Sequence, residues 1–350
     1  MQIHLAGVPG GGSAGHCTRE RELNSLFKKR LWSYYWLVKH SGKMAKENKV
    51  DLFLDSGAFS AWSQGITIDI QEYIQFIKEH RDVINIYANL DVIGLGGKQP
   101  NKLTAEKTLE NQNIMEAAGL IPLPCFHFGE PLSYLEYYVK NYNYLALGVA
   151  GNSGMKLVPW LDECFSKYIC DDAGMPKIKI HGFAVTSLPL MLRYPWYSVD
   201  SISWVFTAGM GSVYVPKKRG GKYVYNINSW VIAVSNRKSS IKEAGAHINT
   251  MPVGEKQIIL DYFTKKGYSL GKSEFKMVSQ TYELKDNERW IGAMPKDKTI
   301  EHKVEIIVEP GLSNKYQLRN ELNIIYFQDL EKFIPEWPWK FTLKKQQNFF

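Results

Sequence analysis

"LDSGAFSAW", residues 54–62, carries an acidic residue out of the apolar run Val50, Leu52, Phe53 and Leu54 and straight into Ser, Gly and Ala. The run is short, apolar and followed by a small-residue bend, which fits a buried strand ending in a tight turn. Asp55 therefore stands at the C-terminal end of a strand. The same pattern recurs along the first 205 residues, with candidate strands at 3–8, 52–55, 84–91, 120–128, 144–149, 178–185 and 197–204. Amphipathic stretches at 19–38, 70–80, 104–118, 132–140, 158–168 and 188–194 predict helices between them. Strand-then-helix units predict a parallel sheet, because parallel neighbours need a crossover and helices supply it. With this many units the expected fold is α/β, a (β/α)8 TIM-like barrel, with an open doubly wound sheet as the alternative.

The pattern breaks after about residue 206. "GMGSVYVPKKRGGK" (209–222) is rich in Gly, Lys and Arg, and 223–235 reads as one or two strands. The closing strand of the barrel, or a hairpin inserted before it, is expected in this interval. Residues 1–250 are assigned to the barrel and 251–350 to a C-terminal α+β appendage, with helices at 255–265 and 315–333 followed by "PEWPWKF". Neither an internal repeat nor a low-complexity segment is present, which excludes solenoids and propellers.

With 350 residues, 45% hydrophobic, 13% aromatic and 22% charged, the composition is globular rather than disordered or fibrous. Lys and Arg number 43 against 35 Asp and Glu, giving +8 and a pI near 9.0, which favours a polyanionic partner. The four cysteines, Cys17, Cys125, Cys164 and Cys170, form no CxxC pair, so neither a thiol-redox motif nor a compact zinc knuckle is readable. That usage suits a reducing cytosol. Residues 1–15 lack the basic head and apolar core of a signal peptide, and no run of about 18 apolar residues occurs. A cytoplasmic protein with no membrane partner is expected.

In a (β/α) barrel the loops after the strands build the site, so polar residues at strand ends are the candidates. Asp55, Asp91 ("YANLDVIG") and Asp200 ("YSVDSISW") end three of the predicted strands, and "FHFGEP", "LALGVAG" and "KIHGFAVTS" end three others. One such Asp is most simply a helix cap. Three of them converging cost desolvation and mutual repulsion, which a fold tolerates mainly where a site uses them. Paired carboxylates suit chemistry at an anomeric carbon, so a glycosyl-transferring or glycosidase-like enzyme leads. Gly57, Gly148 and Gly182 either let a flat ring approach the backbone or simply make tight turns. "GVPGGGSAG" (7–15) lacks the Lys-Ser/Thr pair of a phosphate loop. His127 and His181 read first as structural histidines.

"DSGAFS" (55–60) resembles the DSGGFQ signature of the tRNA-guanine transglycosylases, and the later strand ends follow that family's order. The fuller stretches "LDSGAFSAW", "YPWYSVDSISW" and "WPWKF" resemble its bacteriophage branch, which inserts 7-deazaguanines into DNA. The resemblance covers about residues 1–235, and the remainder resembles the phage branch alone. It implies Asp200 as nucleophile and Asp55 as general acid and base. It also implies a base-binding set of Asp91, Ser56, Gly57, Phe59, His127, Phe128, Gly148 and Val149. Lys217, Lys218, Arg219 and Lys222 are the expected nucleic-acid grip, with a solvated basic loop as the plain alternative. The implied partners are DNA and a 7-deazaguanine base such as 7-cyano-7-deazaguanine, the implied role is shielding phage DNA from restriction, and a homodimer is left open. Family members acting on tRNA hold zinc through three cysteines and a histidine after the nucleophile. All four cysteines here precede Asp200, so no structural zinc and no other cofactor is expected. Ala58 and Ser60 replace the Gly and Gln of the signature. The alternatives are a tRNA-guanine (queuine-type) transglycosylase, a non-catalytic barrel guiding a partner, and a hydrolase that releases the base to water.

Overall fold

The computed structural model describes residues 1–7, 25–36, 50–95, 97, 99–149, 157–237, 243 and 245–343. They fall into two units, 1–202 with 328–350 and 203–327. The division thus comes at 202, before the expected boundary at 250, and the C-terminal tail counts with the first unit.

The first unit is built on an eight-stranded sheet in the order β4-β3-β2-β1-β8-β7-β6-β5. Its strands are β1 (Gln2–Ala6), β2 (Lys29–Ser33), β3 (Asp51–Asp55), β4 (Ile84–Tyr87), β5 (Cys125–His127), β6 (Tyr144–Gly148), β7 (Lys179–Gly182) and β8 (Ser198–Ser201). Every neighbouring pair is parallel. The sheet is flanked by α1 (Ala58–Ser63), α2 (Ile70–Glu79), α3 (Lys102–Ala117), α4 (Leu132–Asn141), α5 (Val158–Glu163) and α6 (Leu188–Arg193). Asp69 caps α2 through the amides of Gln71 and Glu72, and Asn101 and Thr104 form a capping box on α3.

Side chains alternate between the two faces of each strand, and both faces are buried. Leu52 and Leu54 of β3 pack with Tyr73, Ile74 and Ile77 of α2, whereas Phe53 joins Ala6, Leu31, Ala88, Cys125 and Ala146. That second cluster draws on β1, β2, β3, β5 and β6 at once, so the sheet is curled and encloses it. At its two edges Ala88 and Leu123 form a parallel bridge, with the Leu123 amide donating to Tyr87 O at 2.9 Å and the Asn89 amide to Leu123 O at 2.8 Å. Pro122 and Pro124 flank Leu123 and lack the N–H a longer ladder needs, so the predicted strand 120–128 shortens to three residues.

The structure departs from the helix expected over 19–38, because Lys29–Ser33 is β2, paired with β1 and β3. Arg30, Leu31 and Trp32 are all buried, so the strand has no polar face and no period-two signal. Residues 8–24, and with them most of the "GVPGGGSAG" stretch, lie outside the described residues. The eighth strand is thus β2, and no strand of 209–235 joins this sheet.

The second unit holds α7 (Ser203–Gly209), β9 (Ser212–Val215), β10 (Lys217–Arg219), β11 (Lys222–Val224), β12 (Trp230–Ala233), α8 (Val253–Lys265), β13 (Lys272–Val278), β14 (Glu288–Trp290) and β15 (His302–Glu309). α9 (Tyr316–Phe333) runs across the 327/328 division. The antiparallel pair β9–β12 packs with α8 and α9 around a core of Val213, Val215, Ile232, Ile259, Phe263 and Leu322, and β13–β15–β14 form a separate antiparallel sheet. Among the described residues no helix is long and apolar enough to cross a membrane.

Candidate active site

The strand C-termini of the first unit open on a cavity of about 390 Å³ lined by Leu31, Asp55, Ala58, Phe59, Ser60, Asp91, Ile93, His127, Gly148, Val149, Phe183, Ala184 and Asp200. Alternation explains the three aspartates. Phe53 points into the enclosed cluster, so Asp55, two residues on, points over it at the rim. Asp200 pairs in register with His4 and stands two residues past Ser198 on β8. Asp91 follows the stretch where β4 bridges towards β5.

The three carboxyls differ in their surroundings. Asp55 accepts a hydrogen bond from the Gly57 amide at 3.1 Å. Burial, with the charges of Asp91 and Asp200 adding, pushes its pKa up to about 8. Asp91 takes the Ser56 hydroxyl on Oδ1 at 2.7 Å and His127 Nε2 on Oδ2 at 3.0 Å. Burial alone would raise Asp91, but the hydrogen bond and charge of His127 outweigh it and hold the carboxyl below the usual range. His127 is clamped on its other side by Glu130, which accepts from the His127 amide at 2.8 Å and lies 3.3 Å from Nδ1. Burial would lower the imidazole, and its two carboxylate partners instead raise it to about 10. At neutral pH a neutral Asp55 therefore faces an ionised Asp91 locked to a cationic His127.

Asp200 Oδ1 accepts the Ala184 amide at 2.7 Å. Ala184 is the non-glycine residue with a positive φ, 55°, among the described residues, a conformation costing about 1 kcal/mol or more. The strained residue is thus the one that aims its N–H at the carboxylate. His181 Nε2 lies 3.5 Å from the same oxygen.

The remaining expected residues divide. Phe59 lines the cavity at 48% exposure, its ring 5.8 Å from that of Trp62, and Val149 lines it too. Ser56 acts through Asp91. Gly57 lies outside the lining; its φ is +79°, and a Cβ there would sit 2.3 Å from Ser33 Oγ. Gly148 is small because His127 crosses it, with a Cβ there 2.3 Å from His127 Cδ2. Phe128 also lies outside the lining and packs edge-on against Trp160 at 5.4 Å. Lys217, Lys218, Arg219 and Lys222 fall in the second unit, on the β10–β11 hairpin. There Lys217 lies over Trp230 and Lys218 over Tyr223, each at 5.8 Å.

Sequence reasoning missed Glu130 and Ala184. Glu130 had a signal, an acid three residues after His127 in "FHFGEP", whereas an alanine at positive φ leaves none. A wider cleft of about 730 Å³ adjoins the site, sharing Ala58, Asp91 and Ile93, but Asp55, Asp200 and His127 do not line it. Among the described residues no group of three His, Cys, Asp or Glu is arranged to hold a metal ion. The chain matches no protein-family model, no curated protein and no solved structure.

Proposed function

We propose that this chain is a transglycosylase that exchanges guanine in DNA for a 7-deazaguanine through a covalent glycosyl-aspartate. The observation that carries the proposal is the cavity onto which β3, the β4 extension and β8 bring Asp55, Asp91 and Asp200, with Asp55 raised to about 8 and Asp91 lowered. Carboxyls driven apart in pKa are the arrangement that acid–base chemistry at pH 7 needs. The cavity falls within the usual range for a small-ligand site, about 300–1,000 Å³. The sheet is read as a closed barrel, which the Ala88–Leu123 bridge supports.

In the first step Asp200 Oδ2 bonds to C1′ of a deoxyguanosine unit. The C1′–N9 bond breaks, and guanine leaves with its electron pair and a proton from Asp55. In the second step the incoming base gives its N9 proton to Asp55 and bonds to C1′. The ester bond then breaks and its electrons return to Asp200, with net retention. Asp91 accepts from the N–H edge of the base, its geometry set beforehand by Ser56 and His127. A base inside duplex has to be flipped out, or met in single strand. The choice of DNA over tRNA rests on the resemblance of "LDSGAFSAW" and "YPWYSVDSISW" and on the position of every cysteine before Asp200. The β10–β11 basic hairpin is assigned to the polymer backbone.

The test incubates wild type and Asp200→Ala with DNA or tRNA plus 7-cyano-7-deazaguanine, followed by nucleoside mass spectrometry. The proposal expects a deazaguanine deoxynucleoside with wild type alone. Modified tRNA would reassign the polymer, abasic sites would indicate a hydrolase, and unmodified polymers in every arm would count against base exchange.

A further inference from the structure

Below the rim, period-two alternation places Ser198 under Asp200 on β8, and β7–β8 pairing puts His181 opposite Ser198. The side chains form a chain of contacts. Tyr144 Oη lies 2.6 Å from Ser198 Oγ, and Ser198 Oγ lies 2.7 Å from His181 Nδ1. His181 Nε2 then lies 3.5 Å from Asp200 Oδ1, with no hydrogen-bonding partner nearer among the described residues. Ser198 and His181 are fully buried, and His4, Phe53 and Phe183 surround the imidazole with ring centroids at 6.1, 4.6 and 4.8 Å.

Counting donors decides which way the protons point. If His181 carried its proton on Nδ1, it would donate to Ser198, Ser198 to Tyr144, and the Tyr144 hydroxyl proton would have no acceptor among the described residues. The bare Nε2 lone pair would then face a carboxylate oxygen. With the opposite polarity Tyr144 donates to Ser198, Ser198 donates to Nδ1, and Nε2–H points at Asp200, so every group is used. Burial lowers the pKa of His181, which keeps the ring neutral.

We propose that Tyr144 and Ser198 fix His181 as the Nε2–H tautomer, making it a positioning residue that, with the Ala184 amide, holds Asp200 Oδ1 and leaves Oδ2 as the attacking atom. The 3.5 Å separation is longer than a formed hydrogen bond, and catalytic contacts of this kind tighten when the reacting group is in place. A neutral donor suits the task, since it orients the carboxylate without the full loss of nucleophilicity that a cation would bring. In the glycosyl-ester, Oδ1 becomes the carbonyl oxygen and keeps both donors. The catalytic part of this inference rests on the transglycosylase reading, but the tautomer does not.

The experiment is ¹⁵N-histidine NMR of the whole chain at pH 7, with the His181 signals assigned by their loss in His181→Phe or, should that variant fail to fold, by their movement in Ser198→Ala. A neutral ring protonated on Nε2 in wild type, with mixed tautomers in Ser198→Ala and Tyr144→Phe, is expected. A ring protonated on Nδ1, or an imidazolium, would overturn the inference whether or not the protein exchanges bases. In the base-exchange assay, loss of the Nε2–H donor should lower kcat by about 10-fold to 100-fold with KM little changed. Wild-type kcat in a Ser198→Ala protein whose tautomer has shifted would remove the catalytic role. A correct tautomer in a protein that exchanges no base would leave the geometry standing and reject the transglycosylase reading instead.

Discussion

The two ends of the curled sheet are built from the same strands and treat charge in opposite ways. At the N-terminal end, charges are neutralised at once. Lys29 of β2 pairs with Glu331 of α9, and the chain's α-amino group donates to Pro335 O at 2.8 Å. At the C-terminal end, three carboxyls share one cavity, and among the described residues Asp55 has neither a cation nor a side-chain donor to offset its burial. Pairing lowers the free energy of the fold. The rim instead retains one carboxyl, Asp55, whose ionisation the fold disfavours, which is the pattern expected of a strand end that carries chemistry.

The sharpest way to break that contrast is to neutralise Asp55. Asp55→Asn should lower the rate of base exchange by about 10²- to 10⁴-fold while raising stability. The sign follows from linkage. The folded-state pKa of Asp55, about 8, exceeds its ordinary 3.8, so its contribution is present below about pH 4 and lost as the pH rises towards 8. Urea titrations should find the variant more stable than wild type by roughly 1–2 kcal/mol at pH 8, with the two converging at pH 4. A gap independent of pH would show that Asp55 is not the strained group.

The next largest effect should come from Gly148→Ala. Its Cβ would meet the His127 ring, and displacing that ring removes the cation that holds Asp91 down. A loss of about 1–3 kcal/mol is expected, together with a raised KM for the incoming base. Wild-type KM would mean that His127 does not set the Asp91 geometry.

At the other end, Lys29→Met should cost only about 0.5–1 kcal/mol, because the ion pair is part-exposed, and should leave kcat unchanged. A large fall in activity would dissolve the separation between the two ends.

The same contrast explains what could be read in the sequence. Asp55 and Asp200 were legible because a buried run ending in a carboxylate and a bend is a local pattern, and the flanking helix 70–80 was legible from its own amphipathicity. β2 was not, since Arg30, Leu31 and Trp32 are all buried and their pattern carries no strand period. Ala184 gives no sign of its left-handed backbone. His181 reads as an ordinary strand histidine until the β7–β8 register sets it beside Ser198, and register belongs to the sheet rather than to either segment.

The most direct measurement of the central claim is to trap the covalent intermediate. A guanine-containing oligodeoxynucleotide is incubated with the protein, quenched under denaturing conditions, digested and mapped by tandem mass spectrometry. The account predicts a deoxyribosyl ester on Asp200 that accumulates before the second base is added and is absent from Asp200→Asn. An adduct on another residue, or no adduct while exchange proceeds, would contradict it.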